Sequence, residues 1–145
     1  MSTARFDELA FPADLHYLVA HQVWVRLAPD GTATVGVTSL GIALAGEIYM
    51  CRAKAVGTAI EQGKSVAVVE LAKSIVSVKS PLSGTVVEIN PRLPESPEMV
   101  HVDPYGEGWI ARIRPEALER ERVALLHGEG VRAAMADHAR LHRID

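Results

Sequence analysis

The chain is short of cysteine, of aromatic residues and of net charge. Its one cysteine, Cys51, excludes an internal disulfide. A formal net charge of -3 is too mild to suggest binding to nucleic acid or to a membrane surface. No apolar run approaches the roughly 20 residues that cross a bilayer. The stretch from Met1 to Glu8 lacks the charged-then-apolar pattern of a secretory signal. The expectation is a soluble, cytoplasmic protein with neither nucleic acid nor membrane as partner. The sequence also lacks a nucleophile triad, a phosphate loop and a dinucleotide fingerprint, so no enzymatic activity of its own is expected. Six histidines form no convincing metal set.

What is present suits one domain. The 145 residues are 48% hydrophobic, enough for a real core. Short β-rich runs dominate. The segment from His16 to Leu27 reads as a strand, with Val23, Val25 and Leu27 on one face and Trp24 and Arg26 on the other. Pro29, Asp30 and Gly31 turn the chain, and a second strand follows from Thr32 to Thr38. Ser39 is a candidate N-cap for a short helix that Gly46 stops. Further strands are expected over Glu47–Arg52 and Trp109–Arg114, with residues 56–64 as a connector. Beyond Pro115 a helix should run to about His127. Val131, Ala134, Met135, His138, Leu141 and His142 then recur at helical spacing, on a second amphipathic helix laid against a sheet. Many short strands with regular turns predict an all-β sandwich or flattened barrel.

The most informative stretch runs from Val66 to Asn90. Val66, Val68 and their neighbours alternate as in a half-buried strand, and the run breaks at Glu70-Leu71-Ala72-Lys73. A second β-branched run leads into Ser80-Pro81-Leu82-Ser83-Gly84, whose proline and glycine suit a chain reversal. Lys73 should therefore stand at a hairpin tip. A lysine there is by itself an ordinary solubilising charge. A second distinctive string is Asp103-Pro104-Tyr105-Gly106-Glu107-Gly108-Trp109, which reads as a turn before an aromatic-led strand. Cys51, among Ile48, Tyr49 and Met50, reads as a small core hydrophobe.

These strings together resemble the glycine cleavage H protein family. In that family a Glu-Ser-Val-Lys tetrad precedes a Ser-Pro-x-Ser-Gly turn, as Glu70–Lys73 precedes Ser80–Gly84 here, and the Asp103–Trp109 segment is nearly identical. The resemblance covers residues 15–115. It implies a mainly β fold, the lipoyl-type barrel-sandwich of two small antiparallel sheets with short helices, in a single domain over 1–145. Its core would be 15–115, with a C-terminal helical segment over 116–145. It also implies a carrier, not an enzyme, with lipoic acid attached to Lys73 as an amide. Glu70 would help a lipoate ligase or lipoyl-assembly enzyme recognise the hairpin, or else be a solvated strand-end charge.

The same resemblance exposes departures. The family shelters its methylamine cargo with polar and acidic groups near a His-Glu-Trp segment and just after the lysine. This chain reads His21-Gln22-Val23-Trp24, with an added residue and no glutamate, and has Val76 and Ser77 where the family has a Ser-Asp pair. The acidic Glu-Leu-Pro segment is replaced by basic Arg52-Ala53-Lys54. These changes resemble the H-protein-like lipoate-binding proteins of sulfur oxidation. The expected partners are accordingly a heterodisulfide-reductase-like complex or a sulfurtransferase. The alternative is glycine cleavage, with glycine decarboxylase and aminomethyltransferase as partners.

Overall fold

The computed structural model describes residues 5–142. Among these, nine strands form two antiparallel sheets: β1 (His16–Leu18), β2 (Val23–Leu27), β3 (Ala33–Val37), β4 (Met50–Ala53), β5 (Ala59–Ile60), β6 (Ser65–Glu70), β7 (Ile75–Lys79), β8 (Gly84–Ile89) and β9 (Ala111–Pro115). The larger sheet has six strands in the order β1-β2-β3-β9-β8-β5, and the smaller has three in the order β4-β6-β7. Four short α-helices accompany them: α1 (Ser39–Ala45), α2 (Met99–Val102), α3 (Leu118–Glu121) and α4 (Val131–Leu141). The fold is thus the expected mainly β sandwich with short helices, one of them near the C-terminus.

The main core lies between the sheets. Val25, Val35, Val86 and Ile113 of the large sheet meet Cys51, Val66, Val69 and Val78 of the small one. Alternation along each strand sends these β-branched residues inward. Cys51 is 2% exposed and packs there as a hydrophobe, and burial pushes its thiol up to about 12. A second apolar cluster lies around Trp24, where Leu15, Tyr17 and Leu40 meet Val131, Met135 and Ala139 of α4. Both faces of β2 are therefore covered, Val23 and Val25 by one cluster and Trp24 by the other. Of the face read for the last helix, Val131 and Met135 are buried, Ala139 joins them unforeseen, and Leu141 is 81% exposed.

Five local expectations are corrected. The single strand expected over His16–Leu27 is broken by a 3-10 turn at Val19–His21 and by Gln22, which adopts the left-handed conformation (φ 55°). Tertiary hydrogen bonds hold this corner. Gln22 donates through Nε2 to the Val19 carbonyl at 2.9 Å and accepts at Oε1 from Thr38 Oγ1 at 2.6 Å. The N-cap of α1 is Thr38, not Ser39, because Thr38 Oγ1 accepts from the Gly41 amide at 2.9 Å. Gly46 stops α1 as expected, at φ 82°. The strand expected from Glu47 begins only at Met50, and the connector over 56–64 contains β5.

The fifth correction concerns the helix expected from Pro115 to about His127. It is one α-turn, α3, followed by a 3-10 turn at Arg122–Ala124. The chain then becomes extended, and Tyr17 and Leu126 exchange backbone hydrogen bonds at 2.8 Å. The pull of these tertiary contacts outweighs local helix propensity. Residues 143–145 of the C-terminal segment and the first four residues of the lead-in lie outside the described residues.

Candidate functional site

Strands β6 and β7 pair from Glu70↔Ile75 back to Ser65↔Lys79, with an irregularity between Ser65 and Ala67. The Leu71 amide donates to the Ser74 carbonyl at 2.8 Å, which closes the loop and leaves Ala72 and Lys73 at its tip. Leu71 keeps one foot in the core, packed against the main cluster. Ala72, Lys73 and Ser74 are exposed. Among the described residues Lys73 makes no salt bridge. Glu70 ends β6 in an exposed position, with Met50 opposite it on one side and Ile75 on the other. Tyr49 and Ile75, 53% and 65% exposed, flank it as large apolar groups.

The second turn, Ser80–Gly84, is built in the opposite manner. Ser80, Leu82 and Ser83 are buried. Glu121, itself buried, accepts from the Ser83 amide at Oε1 (2.7 Å) and from Ser83 Oγ at Oε2 (2.5 Å). Gln62 adds its backbone amide to Ser83 Oγ at 2.9 Å and its Nε2 to the Pro81 and Glu121 carbonyls. Gly84 does not have positive φ. Its need for hydrogen is one of space, since a Cβ there would run into the Arg114 carbonyl and lie 2.6 Å from Ile113 Cγ2. The glycine read as suiting a chain reversal is required instead by close strand approach. Glu121 was not anticipated, and nothing in its sequence neighbourhood marks it.

Beside the hairpin lies a cleft of about 370 Å³. Leu71, Val76 and Ser77 form its near wall, and Ile42 and Leu44 of α1 with the His21–Gln22 corner form another. The structure therefore brings together residues of the two segments singled out in the sequence, His21, Gln22 and Val23 from one and Val76 and Ser77 from the other. It also brings in His138 and His142 of α4, which the sequence showed only as members of a helical repeat. Their spacing of four is visible in the sequence, but their destination is not. Among the described residues the cleft has no Asp or Glu lining, and no three His, Cys, Asp or Glu side chains could share a metal ion. A larger opening of about 710 Å³ lies between α1 and α2, and no hairpin residue lines it.

The Asp103–Trp109 segment is a turn, as expected, and braces β2. The Trp24 indole donates to the Val37 and Pro104 carbonyls at 3.1 Å, and Arg26 donates to the Tyr105 carbonyl at 3.0 Å. Asp103 Oδ2 accepts from the Glu107 amide at 2.9 Å.

Fold and site together define a lipoyl-type barrel-sandwich that holds out one lysine on a hairpin above a small cleft. The family model for the glycine cleavage H-protein matches residues 15–138, which takes in most of the C-terminal segment. The chain belongs to the glycine cleavage H-protein family. It is 42% identical over 137 residues to glycine cleavage system H protein 3 of Aquifex aeolicus, covering 92% of this chain and 85% of that one. It is 41% identical over 127 residues to the glycine cleavage system H protein of Marinobacter nauticus, covering 88% and 93%. The crystal structure of a glycine cleavage system H protein from Mycobacterium marinum superposes with a TM-score of 0.75 at 28% identity, over 89% of this chain and 99% of that one. No helix among the described residues is long and apolar enough to cross a membrane.

Proposed function

We propose that the chain is a lipoyl carrier and that Lys73 holds lipoate through an amide on its Nζ. The carrying observation is the placement of Lys73, exposed and unpaired among the described residues at the end of two hydrogen-bonded strands. The residues present suit the group. Lys73 offers a free amine, and the neighbouring cleft offers apolar walls for a hydrocarbon arm. When bound, lipoate supplies a dithiolane that thiols or electrons open to a dithiol. The chain's own part is mechanical and electrostatic. Strands β6 and β7 fix the base of the arm, and the Glu121 clamp fixes the far end of β7. Glu70 stands three residues before Lys73, exposed where a lipoate ligase or lipoyl-assembly enzyme could read it. Acylation removes the lysine charge.

Family membership favours glycine cleavage as the pathway, with glycine decarboxylase and aminomethyltransferase as partners, in a single-domain carrier of the cytoplasm. This reading replaces the expected heterodisulfide-reductase-like client, for which the family match and the relatives give no support. One observation still favours the sulfur reading. Without a carboxylate in the cleft, an ammonium cargo forgoes charge-assisted hydrogen bonds of about 1.5–3 kcal/mol each. The test supplies one lipoylated preparation to both systems. Turnover with glycine decarboxylase and aminomethyltransferase is expected, and turnover only with a heterodisulfide-reductase-like complex or sulfurtransferase would reverse the choice.

A further inference from the structure

The basic segment Arg52-Ala53-Lys54 lies in β4 and one residue past its end. Register decides where its charges point. β6 is the middle strand of the small sheet, with β4 on one side and β7 on the other. Cys51 and Val69 stand opposite each other and are buried, so both face the core. Alternation turns their neighbours outward. Met50, Glu70 and Ile75 form one outward row across the sheet, at the foot of the loop that carries Lys73. Arg52 and Val68 belong to the next row. Lys54, whose amide donates to the Val66 carbonyl at 2.9 Å, continues the alternation along β4. Lys79 does the same at the far end of β7, beyond buried Val78.

This outward face is uncovered. Arg52, Lys54, Glu70 and Ile75 are exposed, and Met50, Val68 and Lys79 are half-buried. The salt bridges among the described residues employ other groups, so Arg52, Lys54 and Lys79 are unpaired there. With Lys73 they stand against the outward carboxylate of Glu70, on a chain whose net charge is -3. Cations gathered in this way repel one another and attract a surface of the opposite sign. Met50, Val68 and Ile75 lie among them and give such a surface apolar contact.

Reach selects the partner. An enzyme that reads the finished arm can stand off from the sheet by the arm's length. The enzyme that attaches lipoate must bring its active site to the bare Nζ, and so must press on the residues at the foot of the loop. At about 3.3 Å per residue, Arg52 lies about 7 Å and Lys54 about 13 Å along β4 from Met50. We propose that the lipoate-attaching enzyme docks on the outward face of the small sheet, through an acidic surface that meets Arg52, Lys54 and Lys79. This rests on the assignment of Lys73 as the lipoyl lysine, and it names the surface and the chemistry by which one partner finds that lysine. The face takes no part in the acyl transfer itself.

The experiment uses the full, unmodified chain and one purified lipoate ligase, selected because it modifies the parent protein with lipoate and ATP. Mass spectrometry locates the lipoyl group, and initial rates against carrier concentration give kcat and KM. At about 50 mM salt Arg52→Glu/Lys54→Glu should raise KM about tenfold and leave kcat unchanged. The gap should close near 0.5 M salt, where charges are screened beyond about 4 Å. Arg92→Glu/Arg114→Glu makes the same change in net charge on exposed residues outside the small sheet, and should match the parent, as should Arg52→Lys. With Lys73 lipoylated, a KM shift that is absent, shared by both double variants or indifferent to salt overturns the docking proposal and leaves the carrier assignment in place. A parent dimer in sedimentation that Arg52→Glu/Lys54→Glu dissolves would give the face to a second copy of the chain, and the proposal falls. Lipoate found on another lysine overturns both readings. The parent's own KM should rise with salt by a similar factor, which keeps the test decisive even if the double variant folds poorly.

Discussion

Two turns bracket β7, and they are built for opposite purposes. The loop at Ala72–Lys73 is exposed and is closed by one backbone hydrogen bond, from Leu71 to Ser74. The turn at Ser80–Gly84 is buried, clamped by Glu121 and Gln62, and packed against Arg114 and Ile113. A carrier needs both kinds. A tip that several enzymes must reach should bury little, while its base must not drift. Burial is concentrated at one end of the five-residue β7 and exposure at the other.

That contrast can be broken most sharply at Lys73. Lys73→Arg should abolish lipoylation, read as the loss of one lipoyl mass, whereas Lys54→Arg, Lys64→Arg and Lys79→Arg should not. Its melting should change by no more than about 0.5 kcal/mol in stability terms, as for other exposed positions. Retained modification in Lys73→Arg would remove the functional half of the comparison. Gly84→Val probes the other turn. It should destabilise by about 1–3 kcal/mol through overpacking against Arg114 and Ile113, and lipoylation should fall with it. Unchanged melting and unchanged lipoylation would mean that the close approach of β8 to β9 is misjudged.

Glu121→Ala should cost about 1–3 kcal/mol, because it strands the buried Ser83 amide. Glu121→Gln, which keeps an acceptor, should cost less, and chemical denaturation of the pair distinguishes them. The smallest expected effect is acid sensitivity on the clamped side. His16 is stacked on His127 at 4.1 Å, and its Nδ1 is buried without a partner. Burial, then the charges of His127 and Arg122, hold His16 below its ordinary 6.5. Its neutral form therefore contributes stability that is complete above pH 6.5 and is lost as pH falls through the lower folded-state value. The segment that carries His127 also carries Glu121, so amide-exchange protection at Ser83 should weaken with acid before protection at Val69 does. Equal loss at both sites would erase the distinction between the turns.

The hairpin was legible because its information is local. Alternating valines, a polar break and a Pro-Gly turn lie within one stretch of sequence, so Lys73 could be placed without knowing the rest of the fold. The clamp was not legible because its parts are distant, with Glu121 reaching Ser83 across 38 positions. The reason for Gly84 was misread for the same cause, since Arg114 arrives from another strand. Residues 116–127 carry helix-forming side chains, yet Glu121 is claimed by the Ser80–Gly84 turn and Leu126 by β1, and the helix stops after one turn. His138 and His142 showed their spacing but not their neighbour. The corner at Gln22 hid in a β-rich run because the bonds that favour its left-handed conformation include one from Thr38.

One consequence follows from the position of β7 at the edge of its sheet. An unpaired edge is an invitation to other chains, and β7 carries exposed Ile75 and Val76 along it. Lysine at the end of such a strand acts as a gatekeeper against self-association. Acylation of Lys73, as proposed, would remove that charge and leave the edge beside Ile75 and Val76 less guarded.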